Sequence, residues 1–147
     1  MAKMIGEFHH TIDKKGRMSI PAKFREILGD NFVLMKGSGC CINGYSKEEW
    51  DKVEEKVTDN EFFHKRENQA FIRNIFSSAQ EVEADSMGRI LVPSSLREYA
   101  DLGDRKDITV IGVVKRMEIW STEVWENYKS ETEESVDIGA GMEKFEI

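Results

Sequence analysis

The sequence is poor in the features that mark secreted, membrane and disulfide-rich proteins. Its 147 residues include only two cysteines and two prolines. The cysteines are neighbours, Cys40 and Cys41, so they cannot form a disulfide framework. No apolar run approaches the roughly 18 residues of a membrane helix, and the N-terminal residues contain no apolar signal core. We therefore expect a cytoplasmic protein without a membrane partner.

Patterns of metal, cofactor and nucleophile chemistry are also missing. The three histidines, His9, His10 and His64, have neither H-x-x-x-H nor other zinc-ligand spacing. The sequence has no glycine-rich phosphate loop and no evident Ser-His or Cys-His constellation. We expect no metal, no cofactor and no enzyme activity.

Charge is plentiful but unevenly placed. The net charge of −7 argues at first against a nucleic-acid partner. Residues 1–29, however, carry six basic and three acidic side chains, whereas residues 117–147 carry two basic and nine acidic ones. Because surface fields decay within about 8 Å at physiological salt, a local basic patch can still meet a phosphate. The acidic stretch 131–147 is typical of a solvated, disordered tail.

The chain repeats itself once. The pentapeptide D-K-K-G-R at residues 13–17 recurs as D-S-M-G-R at residues 85–89. Further matches follow at the same spacing: Pro21 with Pro93, Phe24 with Leu96, Arg25 with Arg97 and Glu26 with Glu98. This self-similarity divides the chain into a first half, a connecting helix, a second half and the acidic tail, at residues 5–57, 58–76, 77–130 and 131–147.

Each half has the pattern of a β-hairpin followed by a short helix and two further strands. Asp13 and Asp85 begin turns in which an aspartate side chain bonds the backbone two residues on. Gly16 and Gly88 suit the left-handed position of a bulged three-residue loop. The fold class predicted is α+β, with two pseudo-symmetric β-hairpin–helix–β units and peripheral helices. Ser46 begins one of these helices as the first residue of an S-x-x-E capping box.

Two D-x-x-G-R motifs at equivalent places, each followed by Pro and Arg at equal spacing, make a specific signal. They resemble the MraZ family, bacterial transcription regulators related to SpoVT/AbrB-type swapped-hairpin DNA-binding proteins. The matching residues are Gly6-Glu7-Phe8, His10, Asp13, Lys15-Gly16-Arg17, Ile20-Pro21, Arg25, Asp85, Gly88-Arg89, Pro93 and Arg97.

The resemblance implies an AbrB-like barrel of interlocked hairpins and assembly into a ring-shaped homo-oligomer. It also implies binding of double-stranded DNA at direct repeats in the promoter of the protein's own division and cell-wall gene cluster, hence association with the nucleoid. DNA contact carries over first to Arg17, with Lys15 and Lys14 beside it. Further candidates for DNA contact are Arg89, Arg25 and Arg97. The second turn has Ser86 and Met87 where the first has its lysines.

The chemistry of the first turn suits DNA. Lys14, Lys15 and Arg17 place three cations within one bend, where they can displace counterions from a phosphate backbone. The planar fork of arginine can also read guanine O6 and N7. One such turn is weak, so affinity would come from several copies meeting several repeats.

Three other interpretations stay open at the level of sequence. Arg17 could serve purely as the structural partner of Asp13. Asp13 and Asp85 could form a catalytic carboxylate pair, although an arginine four residues from each opposes a shared proton. The chain could also be a homo-oligomeric scaffold or an antitoxin-like protein-interaction module on the same fold.

Overall fold

The computed structural model describes residues 3–104 and 106–147. These residues form eight strands, six α-helices and two 3₁₀ turns at Arg66–Asn68 and Glu133–Ser135. The strands are β1 (Met4–Thr11), β2 (Arg17–Ser19), β3 (Asn31–Lys36), β4 (Ile42–Ser46), β5 (Gln80–Glu83), β6 (Arg89–Leu91), β7 (Asp107–Val114) and β8 (Met117–Ser121). The helices are α1 (Ala22–Leu28), α2 (Lys47–Thr58), α3 (Gln69–Ser78), α4 (Ser94–Tyr99), α5 (Thr122–Thr132) and α6 (Ile138–Lys144).

The two halves exchange strands. Six strands form one antiparallel sheet in the order β1-β7-β8-β4-β3-β5, and β2 pairs with β6 in a separate two-stranded ribbon. The first strand of each half lies beside the third strand of the other half, so β1 pairs with β7 and β5 pairs with β3. At the centre β4 pairs with β8, with Ile42 opposite Ile119. The first strand of each half therefore finds its partner strand only in the other half.

The core lies between the large sheet, the ribbon and the short helices. Met18 of β2 and Ile90 of β6 are each 1% exposed and face this core. Phe24 of α1 and Leu96 of α4 occupy equivalent buried positions in the two halves. The Phe24 ring meets Phe8 of β1 edge to face, with 5.2 Å between centroids. Burying side chains of this size contributes about 1.5–3 kcal/mol each, which fixes the ribbon against the body of the protein.

The α+β class predicted from the repeat is confirmed, but the barrel is not. The six-stranded sheet is open, with β1 and β5 as its edges. The chain leaves the sheet after each turn, because β2 and β6 pair with each other instead of with β1 and β5. The two edges are therefore left apart, and no closed barrel forms in the described ranges.

The helices agree with the local sequence signals. The hydroxyl of Ser46 accepts a hydrogen bond of 3.2 Å from the Glu49 amide at the start of α2, as the capping box predicts. In the segment 131–147, where we expected disorder, a 3₁₀ turn leads into the seven-residue helix α6. None of the helices in the described residues is both long and apolar enough to cross a bilayer.

Candidate nucleic-acid interface

The ribbon of β2 and β6 presents one face to solvent. Arg17 lies opposite Leu91 and Ser19 lies opposite Arg89, while Met18 faces Ile90 between them. Because side chains alternate along a strand, these outer four share one face and the central pair shares the other. Met18 and Ile90 are buried, which directs both arginines outward.

The first turn, residues 13–17, is built around one carboxylate. Oδ1 of Asp13 accepts hydrogen bonds from the backbone amides of Lys15 at 2.9 Å and Arg17 at 2.8 Å. Oδ2 accepts a third bond, of 3.0 Å, from Nε of Arg17. The turn is closed by the Gly16 amide on the Asp13 carbonyl and by the Asp13 amide on the Arg17 carbonyl. Asp13 thus fixes both the bend and the direction of the guanidinium.

The second turn, residues 85–89, repeats this geometry almost atom for atom. Oδ1 of Asp85 accepts from the amides of Met87 and Arg89, each at 2.9 Å. Oδ2 accepts from Nε of Arg89 at 3.1 Å. The two arginine side chains are also similarly accessible, at 37% for Arg17 and 33% for Arg89. The two halves therefore carry one structural device twice.

Both turn carboxylates are held ionised. The backbone hydrogen bond from Arg17 is the main reason that the pKa of Asp13 is lowered from 3.8, and the guanidinium lowers it further. The Arg89 amide acts in the same way and lowers the pKa of Asp85. A catalytic dyad needs one carboxyl with a raised pKa, so this pair does not have the electrostatics of shared-proton catalysis.

The remaining two candidate arginines lie behind the turns. The Arg97 guanidinium packs on Gly16, where a Cβ would come within 2.6 Å of Cζ, and its Nε donates to the Val92 carbonyl at 3.0 Å. The Arg25 guanidinium packs in the same way on Gly88, where a Cβ would overlap it. Both glycines have positive φ, at 88° and 78°. Each arginine thus supports the turn of the opposite half.

Sequence reasoning missed this cross-packing. It placed Arg25 and Arg97 among the DNA candidates on charge and resemblance, and the structure places each guanidinium against a turn glycine. The signal was present in the repeat, since the glycine and the arginine recur together at one spacing. Detecting it required knowing that β2 pairs with β6, which no local pattern predicts.

The first turn carries two exposed lysines that the second turn lacks. Lys14 and Lys15 are exposed there, whereas the second turn exposes Ser86 and Met87. Met87 is 69% exposed and gives the second turn an apolar tip. The structure therefore brings Arg17, Lys14 and Lys15 together at one end of the ribbon and leaves Arg89 with no lysine in its own turn.

Other reactive side chains are placed unfavourably for chemistry. Within residues 3–104 and 106–147, no group of three or more His, Cys, Asp or Glu side chains is arranged to hold a metal. Burial raises the pKa of the Cys41 thiol to about 12, so it stays protonated and packs as a small apolar group.

Comparison with known proteins agrees with this duplicated architecture. The family model described as "MraZ protein, putative antitoxin-like" matches residues 4–72 and again residues 75–140. Together the two matches cover nearly the whole chain, one per half. The chain belongs to the MraZ family.

Relatives with the name "Transcriptional regulator MraZ" align over almost their full length. The one from Caldanaerobacter subterraneus subsp. tengcongensis is 47% identical over 145 residues, which is 98% of this chain and 99% of the relative. The one from Desulforamulus reducens is 47% identical over 133 residues, covering 90% and 92%. The one from Caldicellulosiruptor saccharolyticus is 45% identical over 145 residues, covering 98% and 99%.

The family match assigns one turn to each repeat. The match over residues 4–72 contains the turn of Asp13, and the match over residues 75–140 contains the turn of Asp85. The duplicated turn is therefore built from two copies of one MraZ unit within a single chain.

Proposed function

We propose that this MraZ-family chain is a sequence-specific DNA-binding transcriptional regulator that contacts DNA with the β2–β6 ribbon and its two turns. The observation that carries the proposal is the pair of arginines on the outer face of the ribbon. Asp13 holds Arg17 through Nε at 3.0 Å, and Asp85 holds Arg89 at 3.1 Å. The names of the aligned relatives, all transcriptional regulators, support the same function.

The ribbon has dimensions that suit contact with base edges in the major groove. A two-stranded ribbon fits the major groove of B-DNA. Arg17 and Arg89 are offset by two residues along the ribbon, or about 7 Å at the usual rise per residue. This offset equals about two base steps at 3.4 Å each. Each aspartate takes its bond from Nε of its arginine, and the terminal guanidinium nitrogens are the atoms that would donate to guanine O6 and N7.

The other cations orient the ribbon on the DNA and do not read bases. Lys14 and Lys15 contact phosphates beside Arg17, and this contact is sensitive to salt because it releases counterions. Arg25 and Arg97 keep the turns in shape and add positive potential beneath them. The overall charge of −7 does not oppose this binding, since residues 117–147 hold nine acidic side chains against two basic ones, whereas residues 1–29 hold an excess of basic ones.

Assembly supplies the affinity that one ribbon lacks. Phosphate contacts alone give a dissociation constant of about 10⁻⁴–10⁻⁶ M. The proposed regulator is a ring-shaped homo-oligomer whose repeated ribbons meet direct repeats in the promoter of its own division and cell-wall gene cluster, in the nucleoid of the cytoplasm. The reciprocal pairing of β1 with β7, β5 with β3 and β2 with β6 supports the AbrB-like swapped-hairpin arrangement for each chain.

An electrophoretic shift tests the proposal directly. The full-length chain is titrated against DNA from upstream of its own gene across a salt series, with scrambled DNA as competitor. Specific binding that weakens steeply with salt is expected, and Arg17→Ala should abolish the shift without changing the mass of the oligomer. Lys52→Ala, which removes an exposed cation on α2, is the matched control and should bind like the parent.

The opposite outcomes are equally clear. If Arg17→Ala bound the DNA with unchanged affinity, the proposed DNA contact of Arg17 would be wrong. A protein that assembles but never prefers its upstream DNA over scrambled DNA would favour the scaffold or antitoxin-like alternative.

A further inference from the structure

An apolar groove runs along α3, with α2 on one side and β3 and α4 on the other. Phe71 of α3 stands at its centre and is 63% exposed, and Phe62 at its rim is 51% exposed. A cavity of about 430 Å³ lies on one side of Phe71, lined by Val57, Phe63 and Ile72 among others. A second cavity, of about 630 Å³, lies on its other side. This combined surface is called the Phe71 groove below.

The charged residues that line the Phe71 groove have one sign. Lys56 is the charged residue that lines the smaller cavity, and Lys36 is the charged residue that lines the larger one. Lys65 lies over the ring of Phe62, with Nζ 4.6 Å from the centroid. No carboxylate from the described residues lines either cavity. The groove therefore suits an apolar segment that carries negative charge.

The helix α6 has the complementary character. Ile138, Met142 and Phe145 stand at positions i, i+4 and i+7, the spacing by which a helix anchors in a groove. Their exposures lie between 47% and 74%, and residues 133–147 are all exposed. Six acidic residues accompany them in residues 131–147 against Lys144 alone.

The composition of α6 also indicates that it needs a partner. Gly139 and Gly141 each cost a helix about 1 kcal/mol relative to alanine. A seven-residue helix is too short to be stable in water by itself. Docking of its apolar stripe would supply the missing stabilisation.

We propose that α6 of one copy of this chain docks in the Phe71 groove of a second copy, with its acidic residues facing Lys36, Lys56 and Lys65. The second copy is preferred to the same chain because both surfaces are uncovered in the folded chain. The preceding helix α5 packs on β7 and β8, whereas α3 packs on β3, which is separated from β8 by β4. A contact between two different patches is heterologous and propagates from copy to copy, so it can close a ring.

This inference rests on the assembly proposed above and specifies its junction. The test measures the mass of the full-length chain by light scattering during gel filtration, without DNA. The wild type should be several times heavier than a single chain of 16.9 kDa. Phe71→Asp places a charge in the groove, and Met142→Asp places a charge on the apolar stripe of α6. Each variant should therefore have the mass of one chain.

Mixing the two variants gives the decisive measurement. Phe71→Asp keeps an intact α6 and Met142→Asp keeps an intact groove, so an equimolar mixture can form one junction per pair. A 1:1 dimer, and nothing larger, is expected. Phe71→Leu, which keeps the groove apolar, and Val136→Asp, which alters an exposed residue outside the stripe, should both retain the wild-type mass. Circular dichroism confirms that each variant is folded.

The contrary results separate the two proposals. A wild type that assembles together with aspartate variants that assemble equally well would overturn the junction and leave ring assembly and DNA binding standing. A mixture that stays at the mass of one chain would overturn the head-to-tail geometry. A wild type that is itself a single chain would overturn both the junction and the assembly, while the electrophoretic shift would still report on DNA binding by one ribbon.

Discussion

The guanidinium of Arg25 occupies the space into which a side chain at Gly88 would project, although the two residues belong to different halves of the chain. The equivalent pair, Arg97 and Gly16, makes the same contact in the other direction. Each turn of the candidate interface is therefore supported by a helix of the opposite repeat. The shape of the candidate interface depends on the exchange of strands between the halves.

Gly88→Ala should destabilise the protein by two separable effects. The first is the left-handed backbone, with φ at 78°, which costs an alanine about 1–2 kcal/mol. The second is the overlap of the new Cβ with Arg25. Arg25→Ala isolates the first effect, because it removes the guanidinium that the new Cβ would overlap and leaves the positive φ of position 88 in place. Urea unfolding should show a larger loss for Gly88→Ala in the wild type than in the Arg25→Ala background.

The double variant Gly88→Ala/Arg25→Ala completes the cycle. Removing the guanidinium relieves the overlap, so in the Arg25→Ala background the added alanine should cost only about 1–2 kcal/mol, which is the cost of the left-handed backbone. If Gly88→Ala lowered the free energy of unfolding by the same amount with and without the Arg25 side chain, the overlap between the new Cβ and the guanidinium would have no energetic role.

How far the fold could be predicted depends on whether a feature is local. The turns followed from Asp13 and Gly16, because their hydrogen bonds and backbone preference are set within five residues. The α2 cap followed from Ser46 for the same reason. The pairing of β2 with β6 could not be predicted, since three-residue strands carry too little periodicity to select a partner.

The candidate site divides along the same line. Lys14, Lys15 and Arg17 were identified from one short motif, and the structure shows them together in one turn. The packing of Arg97 on Gly16 spans 81 positions of sequence and depends on tertiary structure. The DNA contacts themselves, and the boundaries drawn at 5–57, 58–76, 77–130 and 131–147, stay predictions.

Arg89→Ala should weaken DNA binding less than Arg17→Ala. Both guanidinium groups are held alike by their aspartates, so the difference comes from the lysines that only the first turn carries. A lost bidentate arginine–guanine contact costs about 1–3 kcal/mol per site, or roughly five- to 150-fold in affinity. Electrophoretic titration at one salt concentration compares the two variants. Equal losses would show that the lysines do not distinguish the turns.

Moving the lysines tests the same asymmetry by gain of function. Ser86→Lys/Met87→Lys gives the second turn the first turn's charges, so binding should tighten and its logarithmic salt slope should steepen by up to about 1.8 per chain. Asn127→Lys/Ser130→Lys adds the same charge on the exposed surface of α5 and is the matched control. A similar gain from both double variants would mean that net charge, and not the position of the charge, governs binding.

The turn carboxylates predict how stability depends on pH. The folded-state pKa values of Asp13 and Asp85 lie below 3.8 because amide and guanidinium groups bind the ionised form. A lowered pKa means that their contribution is complete above about pH 4 and is lost as the pH falls through the folded value. The urea midpoint of the wild type should therefore exceed that of Asp13→Asn/Asp85→Asn by a constant amount between pH 5 and 8. The difference should shrink below pH 4, because the wild-type carboxyls become protonated and are then uncharged, as the asparagine side chains are at every pH. A difference that persisted to pH 2 would show that hydrogen-bond geometry, and not ionisation, holds Arg17 and Arg89 in place.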